Sequence, residues 1–329
     1  MVAHDDPGSQ PAVPLSRSSR ALLGLLNVLT FVFERLSIDR GVALGAAFGR
    51  VWDRMGAPRT RRVRDQLAMA MPDVDVVRRE EWAREVFVHF GRGLAELVIL
   101  RGRRRRELLD RVEVEGLEHV EAAERLSPSG GVVMVTAHCG NWELACAKVA
   151  SMGIPMSVVY RNLRQPALDE MLLGIRGAGQ RSAEEASRLE QIPMGRAGIR
   201  FVRALDAGRK VLVLLDQDAR PEEGVFVSFF DRPASTRGGP LALAALRGVP
   251  VLPAFVRRSP DGRTHSLRIQ AALQLEDGAS DEEEVLRRNV QRVTAVIEKE
   301  IRESPGQWIW THRRWRTQPP LCDDDHGPP

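Results

Sequence analysis

Six consecutive residues, His138-Cys139-Gly140-Asn141-Trp142-Glu143, set an imidazole and a carboxylate at His-x4-Glu spacing. An imidazole near neutral pH takes the proton of an attacking hydroxyl, and a carboxylate on its second nitrogen fixes the tautomer and stabilises the imidazolium that forms. That pairing of His138 and Glu143 is the base and orienter of a triad without its nucleophile. The nucleophile is then the substrate's own hydroxyl, attacking an acyl thioester directly with no acyl-enzyme. The same spacing also occurs around structural histidines. Cys139 invites a cysteine-nucleophile reading, which is disfavoured because chain neighbours in a strand or turn usually point apart.

The flanking residues must position this pair. Val132 to Val135 reads as a strand running into Thr136-Ala137-His138, and Gly140-Asn141 opens a helix through Trp142, Leu144, Ala147 and Val149. His138 therefore falls at a strand's carboxyl end, the edge where open α/β sheets bind ligands, beside a helix N-terminus that favours developing negative charge. Apolar runs at 130–137, 156–160, 211–215 and 249–256 read as buried parallel strands. Helices are expected at 141–152, 166–177, 198–207 and 239–247 between them, a βαβ pattern. Upstream, 61–109 reads as helical, and a last helix opens on a capping box of Ser280 and Glu283 and ends at Pro305. The fold class is α/β, a mostly parallel central sheet flanked by helices.

Other residues carry possible chemistry at the same edge. Arg161 and Asn162 follow a strand, and Arg161 is either a phosphate clamp or a surface ion pair. Asp216 and Gln217 end the VLVLL strand and suit contacts to a sugar or headgroup hydroxyl. A metal pair of Asp216 and Asp218 is disfavoured, since no His stands nearby. Thr236-Arg237-Gly238-Gly239-Pro240 opens a helix where Thr236 and Gly239 could hold a phosphate or an oxyanion, or where Thr236 is a plain N-cap. Arg313, with Arg314, follows tryptophans that read as core or interface anchors and could meet a headgroup. No cofactor is expected.

The 329 residues contain 43% hydrophobic residues and three cysteines without a CxxC pair, so neither a disulfide framework nor a zinc site has support. The net charge is +4, yet arginines crowd at 59–64 and 101–106, a pattern that suits phosphate groups or a solvated helix face. With one Tyr and no nucleic-acid-binding motif, nucleic acid falls behind a membrane as partner. Residues 1–19 read as a disordered tail. Residues 20–55 read as a membrane-associating helical segment whose apolar run, 21–33, is short of the ~20 residues that span a bilayer. A buried core helix is the alternative, and no signal-peptide cleavage site follows the run. The catalytic domain is expected over 56–317 and a flexible tail over 318–329.

The run VMVTAHCGNWELA resembles the His-x4-Asp/Glu block of the lipid A biosynthesis (lauroyl/myristoyl) acyltransferase family, within the broader lysophospholipid acyltransferase-like group. The likeness continues in Tyr160-Arg161-Asn162, Leu215-Asp216-Gln217-Asp218, the run from Gly224 to Phe230, Pro233-Ala234-Ser235-Thr236, and Gln307 to Trp315. Cys139 stands where an aromatic is usual, Ser228 where proline is usual, and Asp231-Arg232 where glycine and a small or basic residue are usual. The resemblance implies a glycerolipid acyltransferase-like fold with a helical N-terminal membrane-associating region. It also implies acyl transfer from acyl carrier protein or acyl-CoA to a hydroxyl of a lipid A precursor at the cytoplasmic face of the bacterial inner membrane. A phosphatidylinositol mannoside or another glycolipid is the rival acceptor. A non-catalytic lipid-binding membrane protein is the alternative of a different class.

Overall fold

The computed structural model describes residues 17–160, 189–194, 197–276 and 282–320. The chain opens with helices α1 (Arg17–Phe33), α2 (Ile38–Arg54), α3 (Pro58–Ala70), α4 (Val76–Arg101) and the short α5 (Arg105–Leu109). It then alternates: β1 (Val112–Glu115), α6 (Leu117–Leu126), β2 (Val132–Thr136), α7 (Trp142–Ser151), β3 (Met156–Tyr160), β4 (Leu189–Pro193), α8 (Ala197–Asp206) and β5 (Lys210–Leu214). A hairpin, β6 (Gly224–Phe229) and β7 (Arg232–Arg237), precedes α9 (Gly239–Arg247), β8 (Val251–Arg258), β9 (His265–Ile269) and α10 (Glu282–Glu303). The helix expected over 166–177 and the capping residue Ser280 lie outside the described residues.

Seven strands form the central sheet in the order β1-β9-β8-β2-β5-β3-β4, parallel throughout except where β9 runs against β8. Successive side chains of a strand point to opposite faces. On β2, Val133 and Val135 enter the core shared with α3, α9 and α10, while Val132 and Met134 enter the core shared with α6 and α7. Both faces are covered, which is why the strands read as unbroken apolar runs. The sequence pattern leaves β1, β4, β9 and the β6–β7 hairpin unmarked, because they are short or mix polar residues into every second place.

Helices α2 and α4 cross with their backbones nearly touching. A Cβ at Gly45 would sit 2.4 Å from the Gly91 carbonyl oxygen, and one at Gly49 2.1 Å from that of Phe87. This approach leaves the opposite face of α2 outward, where Leu44, Phe48, Val51 and Met55 are exposed at one-turn intervals, as are Leu25, Val28 and Phe31 on α1. Among the described residues no helix is long and apolar enough to cross a membrane.

The hairpin turns on Phe230 and Asp231, whose φ angles of 52° and 56° both lie in the left-handed region. Two-residue turns of this kind match the twist of the strands but favour glycine or asparagine. Asp231→Gly is expected to raise stability by about 1 kcal/mol by relieving this backbone, read as an increased urea midpoint at unchanged m-value. A lower midpoint would show that the turn is unstrained.

Candidate functional site

Parallel pairing of β2 with β5 aligns Thr136 with Leu214. Two residues further along each strand, His138 and Asp216 therefore emerge side by side at the carboxyl edge. Asp216 Oδ1 lies 2.8 Å from His138 Nδ1, while Oδ2 accepts from the His138 backbone N–H at 2.9 Å and from Trp308 Nε1 at 2.7 Å. The Asp216 side chain is fully buried and that of His138 is 18% exposed, so the imidazole faces solvent only at its outer edge. Burial alone would raise the Asp216 carboxyl, but the charge of His138 and hydrogen bonds from both His138 and Trp308 win, holding it at about 2.

The chain reverses immediately after His138. Gly140 adopts a left-handed φ of +59°, and a Cβ there would meet the Val256 carbonyl oxygen at 2.0 Å, so only glycine fits. Asn141 then caps α7, its side-chain oxygen accepting from Leu144 N at 3.1 Å. The segment from Gln307 to Ile309 runs antiparallel to His138–Gly140: Gly140 N donates to Gln307 O at 3.0 Å and Ile309 N to His138 O at 3.2 Å. That pairing carries the Trp308 indole to Asp216. The Trp142 ring meets the imidazole edge-on at 4.7 Å between centroids.

Where the His-x4-Glu spacing suggests Glu143 on the second imidazole nitrogen, the structure places Asp216 there. Glu143 is buried in the first turn of α7. The reason is register: the pairing of β5 with β2 presents the Asp216 carboxylate directly beside His138 Nδ1. Asp216, expected to meet a substrate hydroxyl, instead has both oxygens occupied inside the protein. Gln217 does face the site, its amide 3.1 Å from His138 Nε2. Arg161 and Asn162 lie outside the described residues.

Thr236 is neither an N-cap nor open to a ligand. It lies in β7, fully buried, and its hydroxyl accepts from Arg314, which also donates to Ser235 O at 2.6 Å. Gly238 occupies the cap position of α9, and Gly239 is exposed at its first turn. Arg313 is exposed, while its neighbour Arg314 is buried against the Phe229 ring. Burial pushes the Arg314 guanidinium down to about 10. Asp218 is likewise occupied, accepting from Thr317 N at 3.1 Å and Thr317 Oγ1 at 3.0 Å. Burial pushes the Cys139 thiol well up, so it stays protonated.

A second polar cluster supports the Gly140 turn. Glu96, buried on α4, accepts from Asn141 Nδ2 at 2.7 Å, from Arg258 Nη2 at 2.7 Å, and pairs with His265 Nε2 at 2.9 Å. These residues give no sequence signal, since they are dispersed over α4, β8 and β9; only their mutual burial identifies them. His89, one helix face along α4, also bonds to the Gly140 backbone. Burial, followed by the charge of Arg258, lowers the His89 imidazole to about 3. Between pH 6.5 and 3 the unfolded chain then binds a proton that the folded chain refuses, so stability falls as the pH drops through that window. The slope is expected at about 1 kcal/mol per pH unit. Urea midpoints at pH 7 and 5 should diverge more in the native protein than in His89→Gln; equal shifts would remove His89 from the effect.

Residues 16–317 match the family model of bacterial lipid A biosynthesis acyltransferases. The chain belongs to this family. It is similar to the lipid A biosynthesis lauroyltransferase of Escherichia coli (strain K12), 27% identical over 277 residues covering 84% of this chain and 85% of the relative. Similarity extends to that organism's lipid A biosynthesis myristoyltransferase, 25% identical over 281 residues covering 84% and 80%, and palmitoleoyltransferase, 27% identical over 258 residues covering 78% of each. This lipid A biosynthesis acyltransferase therefore carries its histidine–carboxylate pair at the sheet edge that the α/β architecture reserves for ligands.

Proposed function

We propose that the protein moves a fatty acyl chain from acyl carrier protein or acyl-CoA directly to a hydroxyl of a lipid A precursor, with His138 as general base and Asp216 as the carboxylate that orients it. The observation that carries this reading is the 2.8 Å contact between His138 Nδ1 and Asp216 Oδ1. With Nδ1–H given to the carboxylate, Nε2 keeps its lone pair for the acceptor hydroxyl, and the Gln217 amide marks the place that hydroxyl takes. Glu143, at the positive end of α7, is the site's second acid and offsets the charge on the imidazolium as it forms. The remaining assignments, Arg161, Asn162, Gln217, Gly239 and Arg313, belong to substrate binding in this reading.

Residues 20–55 form the membrane-associating segment and 56–317 the catalytic domain. The exposed apolar stripes of α1 and α2 support a helix pair lying on the cytoplasmic face of the inner membrane, as amphipathic interfacial helices do. Purified protein given a thioester donor and a lipid A precursor should yield a product heavier by one acyl group. Intact-protein mass after incubation with the donor alone should stay unchanged. An acyl adduct, above all on Cys139, would sink direct transfer.

A further inference from the structure

Beyond the His138 site, a cavity of about 1060 Å³ opens among the described residues between α2, α4 and the segment from Ser304 to Gln307. Ligand pockets of several hundred cubic ångströms take molecules of sugar size or larger. Its inner wall includes His89 and Gln307, both bonded to Gly140, so the cavity and His138 share that turn. Arg258, which also lines it, ends β8, and β8 runs parallel to β2, placing both sites on the carboxyl edge of the sheet.

The charges along this wall do not cancel. Asp53 and Glu80 are both committed to Arg64, at 3.0 and 2.7 Å, and Glu303 to Arg257. Burial raises the carboxyl of Glu85 on the same wall, and the charge of Arg78 acts against that. Arg50 and Arg54 from α2 and Arg92 from α4 line the cavity; among the described residues none of the three lies within ion-pair distance of a carboxylate, the charges of Glu96 and Asp261 acting on Arg92 only from further off. Burial, then the positive charges of Arg258 and Arg50, press the Arg92 guanidinium down. An anion between these side chains would relieve that repulsion. Guanidinium groups converging on one space suit phosphate oxygens, which accept paired N–H donors.

The place of the cavity beside the exposed stripe of α2 points to the source of the phosphate. Arg50 and Arg54 lie on α2 beside the outward stripe of Leu44, Phe48, Val51 and Met55. If that stripe rests among acyl chains, the two guanidiniums stand at headgroup level. We infer that the cavity bordered by Arg50, Arg54 and Arg92 binds the phosphate of a lipid headgroup, held apart from the reacting hydroxyl by the Gly140 turn. The headgroup is either the phosphorylated sugar of the acceptor or a phospholipid of the surrounding bilayer, and the inference of depth rests on the membrane placement proposed above.

Binding of glucosamine 1-phosphate to the full-length protein, measured by calorimetry at fixed ionic strength, tests the site without turnover. Arg50→Gln/Arg92→Gln should weaken it at least tenfold, Arg92→Lys should weaken it less, and Arg103→Gln/Arg106→Gln, exposed in the turn after α4 and on α5, should leave it unchanged. Far-ultraviolet circular dichroism confirms that each variant is folded. Equal affinity in the Arg50/Arg92 variant and the native protein, or an equal loss in the Arg103/Arg106 control, would overturn the site. Co-sedimentation with phosphatidylcholine vesicles, with and without phosphatidic acid, separates the sources. A bilayer phosphate predicts that the Arg50/Arg92 variant keeps its binding to phosphatidylcholine but loses the increment from phosphatidic acid; a sugar phosphate predicts that only glucosamine 1-phosphate binding falls. Failure of the native protein to bind any vesicle would refute the membrane placement while leaving the calorimetric result to decide the phosphate site.

Discussion

Asp216→Asn is expected to lower kcat by about 10³–10⁴-fold, close to the loss in His138→Ala. The size follows from the hydrogen bonds around the carboxylate. Oδ2 receives two donors, the His138 backbone N–H and the Trp308 indole, and in the variant that position must remain an oxygen. The amide nitrogen is then forced onto the side facing His138 Nδ1 and donates to it. A ring that accepts at Nδ1 carries its proton on Nε2, where the acceptor hydroxyl needs a lone pair, so the wrong tautomer is locked in. Glu143→Gln leaves this contact untouched and is expected to cost roughly tenfold through lost electrostatic stabilisation of the imidazolium. Initial rates at saturating donor, with thermal unfolding measured alongside, separate the cases. An active Asp216→Asn with an inactive Glu143→Gln would return the orienting role to Glu143.

The largest effect on stability is expected at Glu96. Its carboxylate lies in a buried cluster with Arg258 and His265, and both terminal guanidinium nitrogens of Arg258, Nη1 and Nη2, reach it. Burial would raise the Glu96 carboxyl, but the charges of Arg258 and His265 hold it well below the usual range. Its contribution is therefore present above the unfolded value near 4.5 and is lost only in strong acid. Glu96→Leu strands the Arg258 charge in the interior and should cost about 3–5 kcal/mol. Adding Arg258→Met should recover most of that loss, because a buried ion pair replaced by apolar groups is often neutral. Activity should fall further than stability in Glu96→Leu, since Asn141 loses its anchor and with it the cap that starts α7 beside His138. Urea unfolding of the single and double variants decides this: a cost below about 1 kcal/mol in the single variant would mean that water replaces the carboxylate.

The two experiments probe different layers of one site. Asp216 acts on the proton of His138, whereas Glu96 acts on the backbone that carries His138. Trp308 joins them, because its strand pairing with Cys139 both closes the turn and delivers the indole to Asp216.

Much of this arrangement is local and so legible in the chain. The buried runs at β2, β3, β5 and β8 announce parallel strands, because a strand covered on both faces has no polar side to show. His138 at the end of such a run, followed by Gly140 and the capping Asn141, places a base at a ligand-binding edge before any tertiary contact is known. The family likeness is legible for the same reason, being spread over ordered blocks. Which carboxylate serves the imidazole is not local. It depends on the register of β2 against β5, seventy-eight residues apart in the Asp216–His138 contact, and a one-turn spacing to Glu143 carries no information about that pairing. The dyad's partner, the Trp308 donor, the Glu96–Arg258–His265 support and the arginine-lined cavity between α2 and α4 exist only once sheet order and helix crossing bring distant segments together.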